Sequence, residues 1–348
     1  MIIRENVPLA PLTTLNVGGP ARYFVEAKTL AEVNEAVVFA RAQDLALFVL
    51  GGGSNVVISD AGWPGLVLKI GFSGIEEHRE NGRAVFEVGA GEDWDQFVAR
   101  AVARNCAGVE CLSGIPGSVG GTPVQNVGAY GQEVAETIES VLVLDLKDCQ
   151  VRELCNEASG FSYRTSIFNT CERGRYIILR VTYALIPGGQ PRIQYADLKK
   201  HFAGWSATPT LAGTREAVRR IRASKGMLIT PGDEDCRSAG SFFKNPVLTT
   251  DQHAELRKRA NDKGLQVPSY PALAALHKIS AAWLVEHSGF SRGYSSRAAG
   301  ISRKHALAIV NRGGATAADI LSLKEHIQQR VEEIWGIPLE PEPVFVGF

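Results

Sequence analysis

Apolar positions recur along this chain with two different periods. Between Leu30 and Asp44, the residues Leu30, Val33, Ala36, Val37 and Ala40 share one face, the spacing of an amphipathic helix. Thr29 and Glu32 form a capping box at its start. The same period predicts a helix over Asp93–Arg104, with Trp94, Phe97, Val98, Ala101 and Val102 turned inward. Further helices are predicted over Thr214–Ser224, which is basic, over Thr250–Asp262, which is polar, and from Ser280 to Gly289. A long one is predicted over Thr316–Trp335, with Gly336 and Pro338 beyond its end. Short apolar runs predict strands over Leu45–Leu50, Val56–Ile58, Leu66–Ile70, Ala84–Val88, Ser140–Leu146 and Tyr176–Leu185. Thr13–Phe24 reads as turn-rich, and the tail from Leu339 to Gly347 as extended, because its prolines forbid helix. Pro187-Gly188-Gly189 punctuates the chain as a boundary.

Composition narrows the possibilities. Length suggests about two or three domains, and 45% hydrophobic residues supply a globular core rather than a disordered chain. Thirty-seven bases balance thirty-seven acids, so neither nucleic acid nor an anionic membrane is expected as the main partner. Met1–Pro11 has Arg4 but no apolar core behind it, and no apolar run approaches spanning length. A soluble, cytoplasmic protein is expected. Cys106, Cys111, Cys149, Cys155, Cys171 and Cys236 form no C-x-x-C pair and no Cys/His set of zinc spacing. Free thiols and no metal site are expected.

The densest chemistry lies between Ser113 and Gly131. This stretch is rich in glycine, carries two prolines, and has no Lys, Arg, Asp or Glu. Glycine lets backbone N–H groups approach a ligand closely. Such a loop can wrap a bulky anionic cofactor with main-chain donors. A flexible linker is the bland alternative, but Ile115, Val119, Val124, Val127 and Tyr130 are residues that pack. A second nest, Gly51-Gly52-Gly53-Ser54-Asn55, sits between two predicted strands, where phosphate often binds and where an ordinary tight turn is the alternative. Arg164 stands among aromatic residues in Phe161–Phe168, suited to clamp a carboxylate bidentately or to pair at the surface. Neither G-x-G-x-x-G nor G-x-x-x-x-G-K-[ST] occurs, nor H-E-x-x-H, nor G-x-S-x-G. Ser241-Phe242-Phe243-Lys244 does match the S-x-x-K motif of acylating serines. Its K-T-G partner is absent, and Pro246 opposes the helix that motif needs.

Five segments in this order carry a resemblance: GGGSNVV at 51–57, SGIPGSVGGTPVQNVGAYG at 113–131, YRTSIF at 163–168, GSFFKNP at 240–246 and LEPE at 339–342. Together they resemble the UDP-N-acetylenolpyruvoylglucosamine reductase family over nearly the whole chain. The resemblance implies an α+β protein. Residues 1–187 would form a two-subdomain FAD-binding fold of the vanillyl-alcohol oxidase class, 188–338 a substrate-binding α/β domain, and 339–348 a tail returning to the active site. It implies non-covalent FAD, NADPH as reductant, and an enolpyruvyl UDP-sugar as substrate.

By resemblance, FAD would be held by Gly51, Gly52, Gly53, Ser54 and Asn55, and by Ser113, Ile115, Pro116, Gly117, Gly120, Gly121, Gln125, Asn126, Gly128, Ala129 and Tyr130. The proton donor would be Ser241, with Arg164 and Glu342 beside the enolate. Tyr195 would cover the substrate diphosphate, as in the longer form of the family. Lys225, Asn245 and His305 would contact the substrate, the last at a position that is glutamine in some members. Two departures stand out. Lys225–Ser241 is longer than the pattern leads one to expect and is acidic at Asp233, Glu234 and Asp235. Pro343 follows Glu342 where an aliphatic residue is expected. The rival readings are a sugar or alcohol oxidase of the same flavin class and a serine acyltransferase or hydrolase.

Overall fold

The computed structural model describes residues 1–271 and 276–348. The chain divides into two compact units. The first comprises Met1–Val7, Ala21–Gly53 and Trp63–Ala223, and the second Pro8–Pro20, Ser54–Gly62 and Ser224–Phe348. Pro187-Gly188-Gly189, where the sequence reading puts a boundary, lies inside the first unit. Residues 188–223 belong there because Leu198, Phe202, Ala217 and Val218 share a small core with Cys111 and Tyr130.

The first unit contains two larger sheets besides the two-stranded pairing of Gly128–Ala129 with Gln132–Glu133. One orders its strands Arg4–Pro8, Pro20–Ala27, Trp63–Ile70 and Leu47–Leu50. Both Pro20–Ala27 and Leu47–Leu50 run parallel to Trp63–Ile70. Helix Leu30–Ala42 buries Val33, Ala36, Val37 and Ala40 in a core shared with Val25, Leu66 and Leu68. Its capping box forms as the sequence predicts, Thr29 Oγ1 accepting from the Glu32 amide at 3.3 Å. The other sheet is antiparallel along its main path, in the order Gln150–Cys155, Ile138–Asp145, Tyr176–Pro187, Arg83–Gly89, Ile75–Glu80. Helix Trp94–Ala103 packs Trp94 and Phe97 against Tyr183, with ring centroids 5.8 and 4.9 Å away.

Three strands differ from the sequence reading. Pro20–Ala27 is a strand where turns were expected through Phe24; Ala21, Phe24, Val25 and Ala27 are buried, and Phe24, buried on the face of the exposed Arg22 and Glu26, breaks the alternation. Ile75–Glu80 and Gln150–Cys155 form the two sheet edges; the first is polar apart from Ile75, and the second is half polar. Of their side chains Ile75 and Leu154 pack on the core and most others are exposed, so backbone pairing carries much of their hold and the hydrophobic pattern is weak.

In the second unit, helix Ala317–Trp335 buries Ile320, Leu323, Ile327, Val331 and Trp335 and ends at Gly336, whose φ is 68°. Asp60 accepts from the Ala317 and Ala318 amides at 2.8 and 2.9 Å, adding a carboxylate to the helix N-terminus. The helix expected from Ser280 to Gly289 is shorter, Ala281–Glu286, although Ser280 does cap it. Two small antiparallel sheets complete the unit: Val247–Leu248 with His277–Ile279 and Ser269–Pro271, and Ser295–Ser296 with Ala299–Ile301 and Ile309–Asn311. The tail forms strand Val344–Val346, parallel to Val56–Ile58. Among the described residues no helix is long and apolar enough to cross a membrane.

Candidate active site

In the first unit the two glycine-rich stretches lie against each other. A methyl group on Gly52 would sit 2.5 Å from Gly117 Cα and 2.5 Å from the Ser118 nitrogen. The Gly52 amide donates to Ser118 Oγ at 3.1 Å. Beyond this contact the Val119 and Gly120 amides donate to the Glu92 and Ala90 carbonyls, both at 2.9 Å, and the Thr122 hydroxyl meets Tyr183 at 2.7 Å. Ile115, Val124, Val127 and Ala129 pack on the main core. The stretch is therefore a stapled series of turns, not a linker. Two runs of backbone meet at Gly52 and Gly117, bridged by the small Ser118 hydroxyl, with no charge along 113–131. That is a surface a dinucleotide cofactor with a pyrophosphate fits.

A cluster that sequence reasoning did not assign fixes one end of this stretch. Asp95, in the first turn of helix Trp94–Ala103, accepts from the Gly114 amide at 2.6 Å. The buried Arg222 donates through Nε to the Gly114 carbonyl at 3.0 Å. Arg215 donates to both Asp95 oxygens, at 2.5 and 3.0 Å, and Arg219 also pairs with Asp95. Burial pushes the Asp95 pKa up, but hydrogen bonds from Arg215 and Gly114 and the charges of Arg215 and Arg219 outweigh it. The carboxyl is held below its usual range. The available signal was the spacing of Arg215, Arg219 and Arg222, which places all three on one face of helix Leu211–Ser224.

Arg164 also belongs to this unit. It sits in the turn Ser162–Thr165, closed by reciprocal backbone bonds at 3.0 and 3.1 Å, with φ at 57°. Non-glycine residues rarely adopt that left-handed φ, and such strain clusters at functional positions. Its guanidinium carbon lies 5.5 Å from the Tyr163 ring centroid. A methyl group on Gly128 would lie 3.1 Å from Arg164 Nη1, so the arginine reaches the glycine stretch. Asn126, expected to hold cofactor, has its side chain buried and turned inward. It donates to Glu133 Oε2 at 2.8 Å and the Ser162 carbonyl at 3.0 Å, and accepts from the Ala135 amide at 3.1 Å. Tyr130 is buried at φ 48°, and Tyr195 stands edge-on to it at 5.4 Å with 44% of its surface exposed.

The second unit gathers the remaining candidates. Gly240, with φ at 75°, precedes Ser241, and the buried Phe242 and Phe243 anchor the turn. The Phe242 amide donates to the Leu307 carbonyl at 2.8 Å, and the Phe242 carbonyl accepts from the Glu342 amide at 2.9 Å. Ser241 and Glu342 are thus brought together through paired backbones. Asn55 holds the tail as well, its Nδ2 on the Glu342 carbonyl at 3.2 Å and its carbonyl accepting from Val344 at 2.9 Å. The Thr14 hydroxyl donates to the Ser54 carbonyl at 3.3 Å. Lys244 Nζ lies 2.6 Å from Glu340 Oε1, so that lysine is an ion-pair partner rather than the base an acylating serine needs. Asn245 Oδ1 accepts from the Ala281 amide at 2.9 Å, which orients its NH₂ end. His305 Nδ1 accepts from the Leu307 amide at 3.0 Å, which assigns the proton of the neutral ring to Nε2, a donor for an anionic oxygen. The acidic stretch after Lys225 is engaged along its length. Asp233 pairs with Lys304 at 2.6 Å, Glu234 with Arg303 at 3.1 Å, and Asp235 accepts from the Arg303 amide at 2.9 Å.

Both halves of the chain resemble known proteins. Residues 231–346 match the family profile "UDP-N-acetylenolpyruvoylglucosamine reductase, C-terminal domain", and residues 21–154 match "FAD binding domain". The chain is 44% identical to a UDP-N-acetylenolpyruvoylglucosamine reductase of Thermobifida fusca, over 99% of this chain and 98% of that one. It is also 44% identical to the Streptomyces coelicolor enzyme of the same name, over 99% and 90%. Among solved structures, the reductase of Thermus caldophilus superposes with a TM-score of 0.66 at 28% identity, covering 99% of this chain and all of that one.

Proposed function

The chain belongs to the UDP-N-acetylenolpyruvoylglucosamine reductase family, and we propose how its own residues carry that reaction. The protein is an FAD-dependent oxidoreductase of peptidoglycan precursor synthesis. It reduces UDP-N-acetyl-3-O-(1-carboxyvinyl)-glucosamine to UDP-N-acetylmuramate with NADPH as reductant. The observation that carries the cofactor reading is the close backbone approach of Gly52 to Gly117 and Ser118. When bound, FAD supplies the two-electron relay between nicotinamide and sugar nucleotide. Gly51–Asn55 and Ser113–Gly131 hold it without a covalent bond, through backbone donors.

The substrate's chemistry assigns the remaining roles. Hydride arriving at the methylene carbon pushes an electron pair onto the adjacent carbon and its carboxylate. Arg164 carries a fixed positive charge and a planar fork that matches a carboxylate. It stabilises this enolate, and Glu342 assists on the same intermediate. Ser241 gives its hydroxyl proton to the adjacent carbon and regains one from solvent, so the product gains one hydride and one proton. A serine is a weak acid, and its turn helps by holding the hydroxyl at the reacting carbon. Tyr195, Lys225, Asn245 and His305 are donors for the diphosphate and nucleotide oxygens. Residues 1–187 serve the cofactor, 188–338 the substrate, and the tail delivers Glu342. The partners are the two small molecules, and no nucleic acid is needed.

The test is the visible spectrum of the purified protein under argon. A yellow protein that bleaches with NADPH and recovers its colour on addition of the enolpyruvyl sugar nucleotide supports the reading. A protein that stays colourless after refolding with excess FAD, or that reoxidises only with oxygen, overturns it.

A further inference from the structure

Asn126 joins two features of the first unit that are far apart in sequence: the glycine stretch and the turn that carries Arg164. Its side chain is 1% exposed, and each polar atom has a partner within the protein. One of its donors reaches the Ser162 carbonyl at 3.0 Å. That carbonyl also accepts from Thr165 across the turn enclosing Tyr163 and Arg164. Two further tethers hold the same loop: Ser166 Oγ donates to the Val124 carbonyl at 2.7 Å, and Asn169 Nδ2 to the Arg164 carbonyl at 3.1 Å. The turn needs holding, because Arg164 stands at φ 57°, where a free chain would relax. Asn126 itself has φ 45°, a conformation asparagine tolerates better than most residues. Its other donor goes to Glu133, whose Cγ would lie 2.8 Å from a methyl group on Gly128, the same added carbon that would lie 3.1 Å from Arg164 Nη1.

We propose that Asn126 is a positioning residue for Arg164: paired with Glu133, it locks the Ser162–Thr165 turn onto the glycine stretch and so fixes the guanidinium. This rests on the catalytic reading of Arg164 given above.

The informative variant is the double substitution Asn126→Asp with Glu133→Gln. Aspartate keeps the shape and the left-handed backbone, and still accepts from Ala135. It also accepts from the amide introduced by Glu133→Gln, with donor and acceptor exchanged. Only the bond to Ser162 is lost, replaced by two oxygens facing each other. The second variant is Asn126→Gly, which keeps the backbone and removes the side chain. Anaerobic stopped-flow absorbance follows flavin bleaching by NADPH and recovery with the enolpyruvyl sugar nucleotide.

The reading is the ratio of the two half-reactions in the FAD-loaded variants, with bleaching as the internal reference. Recovery should slow by about 10- to 100-fold more than bleaching does, the range for a misplaced catalytic group. In an Arg164→Ala background the double substitution should add less than about twofold, because the two act as one unit. If Arg164→Ala is slow but the Asn126 variants recover at the parent rate, the positioning role is wrong and the catalytic reading of Arg164 survives. If the Asn126 effect multiplies fully with Arg164→Ala, or if FAD is lost, Asn126 acts on something other than Arg164. If Arg164→Ala itself recovers normally, the reading of Arg164 fails and takes this proposal with it.

Discussion

Replacing Gly52 by alanine tests the cofactor cradle with a single methyl group. That carbon would lie 2.5 Å from Gly117 Cα, 2.5 Å from the Ser118 nitrogen and 2.6 Å from the Gly117 carbonyl carbon. Carbon atoms pack at about 3.5–4.0 Å, so roughly 1 Å of relief is required. All three neighbours are backbone atoms, so no rotamer change can supply it, and the two loops must separate. Inserting a methylene into a packed site costs about 1–3 kcal/mol. If separation of the loops is borne by the cofactor site, that range weakens FAD binding by roughly 5- to 150-fold, since 1.4 kcal/mol is tenfold. The Gly52 amide bond to Ser118 Oγ would be stretched as well, which moves the estimate toward its upper end.

The control lies in the same stretch. A methyl group on Gly121 would have its nearest neighbour, Ser118 Oγ, at 3.9 Å, an ordinary contact. Gly121 also has no positive φ, so alanine carries no backbone strain there. FAD dissociation constants come from flavin fluorescence quenching, and urea midpoints of the apoproteins separate lost affinity from lost stability. Gly52→Ala should bind FAD weakly while Gly121→Ala stays within about threefold of the parent. Equal, parent-like affinities would mean that the approach of the two glycine stretches does not shape the cofactor site. Equal losses would mean that glycine flexibility, rather than this contact, is what FAD requires.

Three further outcomes are expected. Ser241→Ala should bind FAD and bleach with NADPH at the parent rate, while recovery with the sugar nucleotide slows by about 10²–10⁴-fold, the usual contribution of a general acid; slowing of both steps alike would make Ser241 structural. Tyr195→Phe should raise KM for the sugar nucleotide and leave bleaching unchanged, and unchanged affinity by titration would reduce Tyr195 to its packing on Tyr130. Asp95 is held below its usual pKa by Arg215, Gly114 and Arg219 against the opposing effect of burial, so its folded pKa lies below its unfolded one. The stability it adds is therefore present at neutral pH and lost as pH falls through the folded value, below about 4. Asp95→Asn should weaken FAD binding at pH 7 and show a shallower loss of stability on the acid side than the parent, and superimposable acid limbs would show that Asp95 contributes nothing there.

What could be read in the sequence follows from where its information is local. Helices Leu30–Ala42, Trp94–Ala103 and Ala317–Trp335 were legible because each carries an apolar face and its own cap. The glycine stretch was legible because close backbone approach permits almost no other residue. The edge strands Ile75–Glu80 and Gln150–Cys155 were not, since much of their stability comes from a neighbouring strand and most of their side chains face water. The three-part chain path of the second unit was equally hidden. Nothing in Pro8–Pro20 announces that Leu15 and Val17 share a core with Phe242 and Leu284, or that Asn311 Nδ2 bonds the Leu15 carbonyl at 2.9 Å. The Asp95–Arg215–Arg222 clamp joins residues more than 100 positions apart around one peptide, and only its arginine spacing was visible.

The candidate catalytic groups share a construction that explains why their motifs are contiguous strings. Arg164 needs its φ of 57°, which the turn-closing bonds of Ser162 and Thr165 and the cap of Ser166 and Asn169 maintain; all of these lie within eight residues. Ser241 follows Gly240 at φ 75° and precedes two buried phenylalanines that fix the turn. In both cases a side chain is aimed by strained or glycine backbone, and the strain is held by immediate neighbours. A substitution in such a neighbour shifts the reactive group without touching it, so the whole string is constrained together. Asn126 and the Glu342 tail are the long-range supplements to this local scaffolding, tying Arg164's turn to the glycine stretch and Ser241's turn to the Val56–Ile58 strand through Asn55. Catalytic position should therefore be more sensitive to these supplements than cofactor affinity is, which is the separation that the half-reaction measurements on Asn126 and Ser241 resolve.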